Sequence, residues 1–186
     1  MSEYGVVTEP GTVRLERLLP GPIDRVWSYL TDSEKRGRWF ASGPMELRPG
    51  GSVELYFKHA DLSPHKEPAP EKYKKYDDGV TSYGHVVRCE PPRLLSFGWG
   101  EESGDESEVT FELTPHDGKV LLVVTHRRLR DRKAMVSVAG GWHTHLAILI
   151  DHLEGREPRP FWSTHALVGA EYEQRIPADA PAVPAP

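Results

Sequence analysis

Of the nine histidines, four bear on the chemistry the sequence could support: His126, His143, His145 and His152. Imidazole is the one group that changes charge near neutral pH, trades protons and ligates metals. Spacing limits what these four can do. His143 and His145 are two apart and so fall on different faces of a helix, whereas a helical zinc pair wants a separation of four. Positions 147 and 149 are Ala and Leu, and His145 and His152 are two turns apart. No metal site is expected. His145 shares an apolar helical stripe with Trp142, Leu146 and Leu149. An imidazole on such a stripe either bonds the polar end of a ligand or satisfies a backbone or hydroxyl group inside the core, the second being the commoner role. His126 closes an alternating segment in phase with Leu122 and Val124. It either points inward beside His145 or occupies a hydrogen-bonded corner at a strand end. Trp39 and Phe40 form an adjacent aromatic pair that can stack on a flat ligand or plug an open end of the core. Phe57, Tyr83 and Trp99, on strand-like segments, complete the candidate ligand-binding set.

Nothing in the sequence announces catalysis. There is no Gly-x-Ser-x-Gly elbow, no nucleophile with a local signature and no phosphate-cradling loop. A cavity histidine beside a carboxylate would be the one catalytic unit available, and binding rather than turnover is the first expectation. No cofactor is implied.

The elements that must position these residues follow from periodicity. Val13, Leu15 and Arg17 alternate with Arg14 and Glu16, as in a strand with one face inward. After Pro20-Gly21-Pro22 the period changes: Ile23, Val26, Trp27 and Leu30 mark an amphipathic helix, and Thr31-Asp32-Ser33 caps a second, short one. Alternation then returns through Val53–Phe57, Tyr83–Cys89, Leu95–Trp99, Val109–Leu113 and Val120–Leu129, with turns at Pro49-Gly50-Gly51, Pro91-Pro92 and Asp117-Gly118. Short turns between strands imply an antiparallel meander. From residue 133 to about 154 the spacing is helical again, with Met135, Val138, Trp142, Leu146, Leu149 and Leu153 on one stripe and Gly155 as the stop. One helix cannot cover so wide a sheet by lying flat on it. The sheet must curl round the helix, and where the two fail to meet a cavity is left.

The chain has 186 residues, 38% hydrophobic, enough for one sizeable core. Lys+Arg 23 against Asp+Glu 28 gives a net charge of -5, which supplies no field for nucleic acid. Cys89 is the only cysteine, so neither an intrachain disulfide nor a multi-cysteine metal site is available. No run approaches the roughly 20 apolar residues of a membrane span. A cytoplasmic location is expected.

Several motifs occur in family order. Pro22 to Leu30, Thr31-Asp32 and Arg38-Trp39-Phe40 are followed by Leu47-Arg48-Pro49-Gly50-Gly51. Gly84-His85-Val86 with Pro91-Pro92-Arg93-Leu94 comes next, then Val124-Thr125-His126, and finally Gly141-Trp142 through Leu153. This set resembles the START-like, or SRPBCC, superfamily, and within it the bacterial homologues of the C-terminal domain of the heat-shock ATPase activator. The resemblance covers about residues 12–155. It implies an α+β helix-grip fold, a curved antiparallel sheet of six to seven strands round a long C-terminal helix, with two short helices after the first strand. It also implies that Trp39 and Phe40 border a cavity mouth. Outside the domain, residues 1–11 are expected to be a flexible leader, 156–176 a helical extension and 177–186 a disordered tail. Within it, residues 59–79 form a polar insertion, either a disordered loop or a lid touching the cavity through Tyr73 and Tyr76. The function expected is binding of an apolar or aromatic small molecule. The alternatives are a stress-response or chaperone-linked adaptor and a cyclase- or hydrolase-like enzyme. An open edge strand would permit a homodimer.

Overall fold

The computed structural model describes residues 2–104, 106–181 and 183. Seven strands, β1 (Val6–Glu9), β2 (Thr12–Pro20), β3 (Ser52–Phe57), β4 (Val80–Glu90), β5 (Leu94–Trp99), β6 (Ser107–His116) and β7 (Lys119–Arg127), make one sheet in the order β1-β2-β7-β6-β5-β4-β3. Every pairing is antiparallel. Helices α1 (Ile23–Thr31) and α2 (Ser33–Gly37) link β2 to β3, and α3 (Arg132–Leu153) and α4 (Phe161–Arg175) follow β7.

Alternation decides which side of the sheet is inside. On β7, Val120, Leu122, Val124 and His126 are at most 1% exposed, and the facing residues Val109, Phe111 and Leu113 of β6 are equally enclosed. Against this concave face lies α3, started by Asp131, whose side chain accepts from Ala134 N at 2.7 Å. It ends at Gly155, whose φ of 69° suits a residue without Cβ. Trp142, Leu146 and Leu149 face the sheet cluster, while Met135, Val136 and Ala139 belong to a second core with Val168, Tyr172 and Ile176. Thus α3 is covered on two sides, by the sheet and by α4. The two helices approach closely at small residues: a Cβ on Gly140 would lie 3.7 Å from Gly169 Cα.

Three regions differ from the sequence expectation. The leader contributes β1, with Val7 opposite Val13, and Tyr4 packs edge-on to Tyr172 at 5.5 Å. Its short apolar pattern was too brief to read as a strand. Segment 59–79 is no loose loop; it holds short 3₁₀ helices at His59–Asp61 and Glu71–Tyr76. Contacts with the chain after α3 pin it: Ser63 Oγ donates to Pro158 O at 3.0 Å, Ser163 N donates to Glu67 at 3.1 Å, and the Tyr73 ring stacks on Trp162 at 5.1 Å. In the expected disordered tail, Pro181 O accepts from Gly11 N at 2.9 Å, while residues 182 and 184–186 lie outside the described residues. Among the described residues no helix is long and apolar enough to cross a membrane.

Candidate functional site

Where α3 and the sheet diverge, at the end formed by β3, β4 and β5, lies a cleft of about 340 Å³. The sheet contributes Phe57, Val80, Ser82 and Trp99; α3 contributes Ser137, Val138, Gly141, Trp142 and His145; the insertion closes over them with His59, Tyr73 and Tyr76. Phe40 enters from the turn after α2. That turn is fixed by Arg36, 2% exposed, which donates to the carbonyls of Ala41 (3.0 Å), Leu30 (3.3 Å), Thr31 (3.2 Å) and Gly43. Burial lowers its pKa to about 10, so it stays cationic.

Four aromatic rings build one wall. Phe40 meets Trp142 at 4.8 Å and Phe57 at 5.0 Å, and Phe57 stacks on Trp99 at 5.3 Å. Such a wall offers flat apolar area with little conformational freedom to lose. No side chain intrudes at Gly141, since a Cβ there would meet nothing within 4 Å.

His145 supplies the polar group. Its Nδ1 lies 2.7 Å from Trp39 O. A carbonyl only accepts, so Nδ1 holds the proton and Nε2 presents its lone pair. No hydrogen bond to Nε2 is found among the described residues, and His145 lines the cleft. Burial, the imidazole of His59 nearby and that of His165 lower the His145 pKa to about 3 against the opposing bond to Trp39 O. His59 is lowered to about 4, by burial and by His165. At neutral pH the site therefore offers a neutral acceptor. Glu102 also reaches the cleft, but its carboxylate accepts from Ser82 Oγ at 2.7 Å and from Tyr83 N at 3.0 Å. Burial opposes its ionisation, and these bonds outweigh burial, holding the carboxyl below the usual range. It has no proton to give at neutral pH.

Of the residues singled out from sequence, Phe40, Phe57, Trp99, Trp142 and His145 meet in this cleft, as do Tyr73 and Tyr76. Trp39 is fully buried behind it, its Nε1 donating to Tyr29 O at 2.8 Å. Leu146 and Leu149 are wholly enclosed in the core rather than on the cleft wall. His126 is 1% exposed, accepting from Trp142 Nε1 at 3.0 Å and donating to Ser107 Oγ at 2.7 Å; burial lowers its pKa to about 3. It is the hydrogen-bonded corner, with both nitrogens committed. Tyr83 faces outward, 46% exposed, because β4 turns Ser82 and Gly84 inward. Gly84 must be small: a Cβ there would collide with Gly98 O. Sequence reasoning passed over His59, Ser137 and Gly141, none of which lies on an apolar period.

A model of the family described as Activator of Hsp90 ATPase homolog 1-like protein matches residues 20–154. The chain belongs to that family. Comparison with curated proteins finds no match. Among solved structures, the solution NMR structure of a Bordetella parapertussis protein is 46% identical, with a TM-score of 0.79, covering 97% of this chain and 94% of that one. CalU16 from Micromonospora echinospora is 25% identical, with a TM-score of 0.64, over 88% and 86% of the two chains. DynU16, described as a putative protein in the dynemicin biosynthetic locus, is 23% identical with a TM-score of 0.61 over 81% of this chain and 49% of that one, and shares the fold. In this family member the cleft-closing insertion lies inside the matched span, but α4, to which it is pinned, lies beyond it.

Proposed function

We propose that the chain is a receptor for a flat aromatic small molecule that carries a hydroxyl or N–H donor. The observation supporting this is the tautomer of His145: fixed by Trp39 O, it leaves one uncommitted acceptor in a cleft otherwise walled by aromatic rings. Ring stacking supplies affinity, and the Nε2 lone pair supplies orientation and selects a donor. Membership of a helix-grip family, whose fold leaves room between sheet and helix, agrees with this reading. The commitment of His126 and Glu102 to internal bonds favours binding over acid–base catalysis.

The test pairs two probes of equal shape, 2-naphthol and naphthalene, in fluorescence titrations. The wild type should prefer 2-naphthol by about tenfold, the worth of one well-made hydrogen bond. His145→Leu should erase that preference while retaining naphthalene. Equal affinity for the two probes in the wild type, or an unchanged preference in His145→Leu, would refute the assignment.

A further inference from the structure

On the concave side of β2, Val13, Leu15 and Leu19 are buried apolar residues, and Arg17 interrupts them. Its side chain leaves the residue only 8% exposed. Nη1 donates to Glu16 O at 2.7 Å, but Nη2 is buried with no hydrogen-bond partner, the one such side-chain atom among the described residues. Guanidinium stays charged even when burial depresses its pKa, as it does here. A buried cation normally keeps an anion beside it.

Arg17 lines a cavity of about 420 Å³ that shares no residue with the aromatic cleft. His143, which borders it, points away from the flank of α3 that carries His145, with Nδ1 3.1 Å from the Tyr172 hydroxyl. Arg159 lines the same cavity, but its guanidinium is occupied by a two-point bond to Asp151 at 2.7 Å. Ala147 and Ile150 give an apolar wall, and the Tyr4 ring lies 4.9 Å from that of His143. Glu3 is the nearby carboxylate not committed to an arginine. It reaches 3.9 Å from His143 Nε2, stays 78% exposed and forms no hydrogen bond with Arg17. Arg17 thus stands in the wall of this cavity with Nη2 sealed and without a hydrogen bond, and the acid whose charge it feels, Glu3, hangs exposed at the rim.

We propose that this cavity is a second binding site, for a small monocarboxylate with an apolar body. Its carboxylate pairs with the Arg17 guanidinium, its body lies against Ala147 and Ile150, and Glu3 competes for the same charge. A carboxylate fits because Arg presents paired N–H donors to two oxygens at once.

Benzoate, with benzamide as its uncharged counterpart, tests this by calorimetry and thermal unfolding at constant ionic strength. Both are run on the wild type and on Gly141→Leu, which fills the aromatic cleft and so separates the two sites. Benzoate should bind and raise the melting temperature in both backgrounds, and in Gly141→Leu, where the aromatic cleft is filled, benzamide should do neither. Glu3→Gln should tighten benzoate by about two- to fivefold, the effect of removing one exposed like charge. Arg17→Met should abolish benzoate binding without lowering the melting temperature, since a buried unpaired charge is exchanged for an apolar chain of similar length. Should Arg17→Met fail to fold, Glu3→Gln decides alone. If benzoate does not bind, if benzamide binds Gly141→Leu as tightly as benzoate does, or if Glu3→Gln lowers the melting temperature without tightening benzoate, then Glu3 is the built-in counter-ion of Arg17 and there is no second site. If inorganic phosphate binds as tightly as benzoate, the apolar body has no part and the proposed ligand class is overturned.

Discussion

Gly141 gives the sharpest handle on the aromatic cleft. It lies inside α3, where glycine costs about 1 kcal/mol relative to alanine through backbone freedom. It lines the cleft, and a Cβ at that position would meet nothing within 4 Å. Gly141→Ala should therefore stabilise the fold by about 1 kcal/mol, or about 2–4 °C for a chain of this size, and leave a probe such as 2-naphthol bound. Gly141→Leu gains most of the same helix propensity but projects a branched side chain into the space the ligand needs. If it displaces about 100 Å² of apolar contact between probe and wall, the loss is about 2.5 kcal/mol, close to two orders of magnitude in affinity. Thermal unfolding and fluorescence titration on the same samples separate the two effects. Stability retained with binding lost is the expected signature. If Gly141→Leu binds the probe like the wild type, the ligand does not lie against this part of α3 and the proposed site is wrong. If Gly141→Ala is destabilised, the space beside Gly141 is filled and the cleft geometry fails with it.

Acid should loosen the fold. The imidazoles of His126 and His145 have folded pKa values lowered to about 3, and those of His59, His143 and His165 to about 4. A depressed histidine contributes stability that is whole above about pH 6.5 and drains away as pH falls toward the folded value; at pH 5 the loss is about 2 kcal/mol for each of the enclosed rings of His126 and His145. Urea midpoints at pH 7, 6 and 5 should fall steadily, and a flat profile would contradict the burial of these rings. Trp142→Phe removes the donor to His126 Nδ1 and should cost about 1–3 kcal/mol, read from the urea midpoint. Asp151 is the buried acceptor of Arg159, and Asp151→Asn should cost about 2–3 kcal/mol; an unaltered midpoint would show that the pair is dispensable.

Much of the fold was legible because two periodicities divide the labour cleanly. Alternation at Leu122, Val124 and His126, and the spacing of Met135, Trp142, Leu146 and Leu149, each point to one inner surface, and the two surfaces need one another. His145 stood out for the same reason, as the polar exception on an apolar stripe. Other features left no periodic trace. Tyr83 was a candidate for the ligand-binding set, but its facing could not be read without the strand register; on β4, Gly84 turns inward against Gly98 and Tyr83 outward, a tertiary fact invisible along the chain. Leu149 was expected on the cleft wall, but it is one residue among several on a stripe broader than the opening. Arg17 was readable as inward-facing, but that its Nη2 lacks a partner depends on where Glu3 finally lies. The 59–79 segment was open between a disordered loop and a lid touching the cavity through Tyr73 and Tyr76, because what orders it, Pro158, Trp162 and Ser163, lies far along the chain.

That last dependence has an evolutionary corollary. The roof of the cleft, the segment 59–79, lies inside the family's matched span but is held down by a piece of chain beyond it, which also packs on α3 in its own right. A relative that loses that piece should shed or rewrite the roof segment as well, so paired gain and loss of the two across genomes would trace when the pocket acquired its cover.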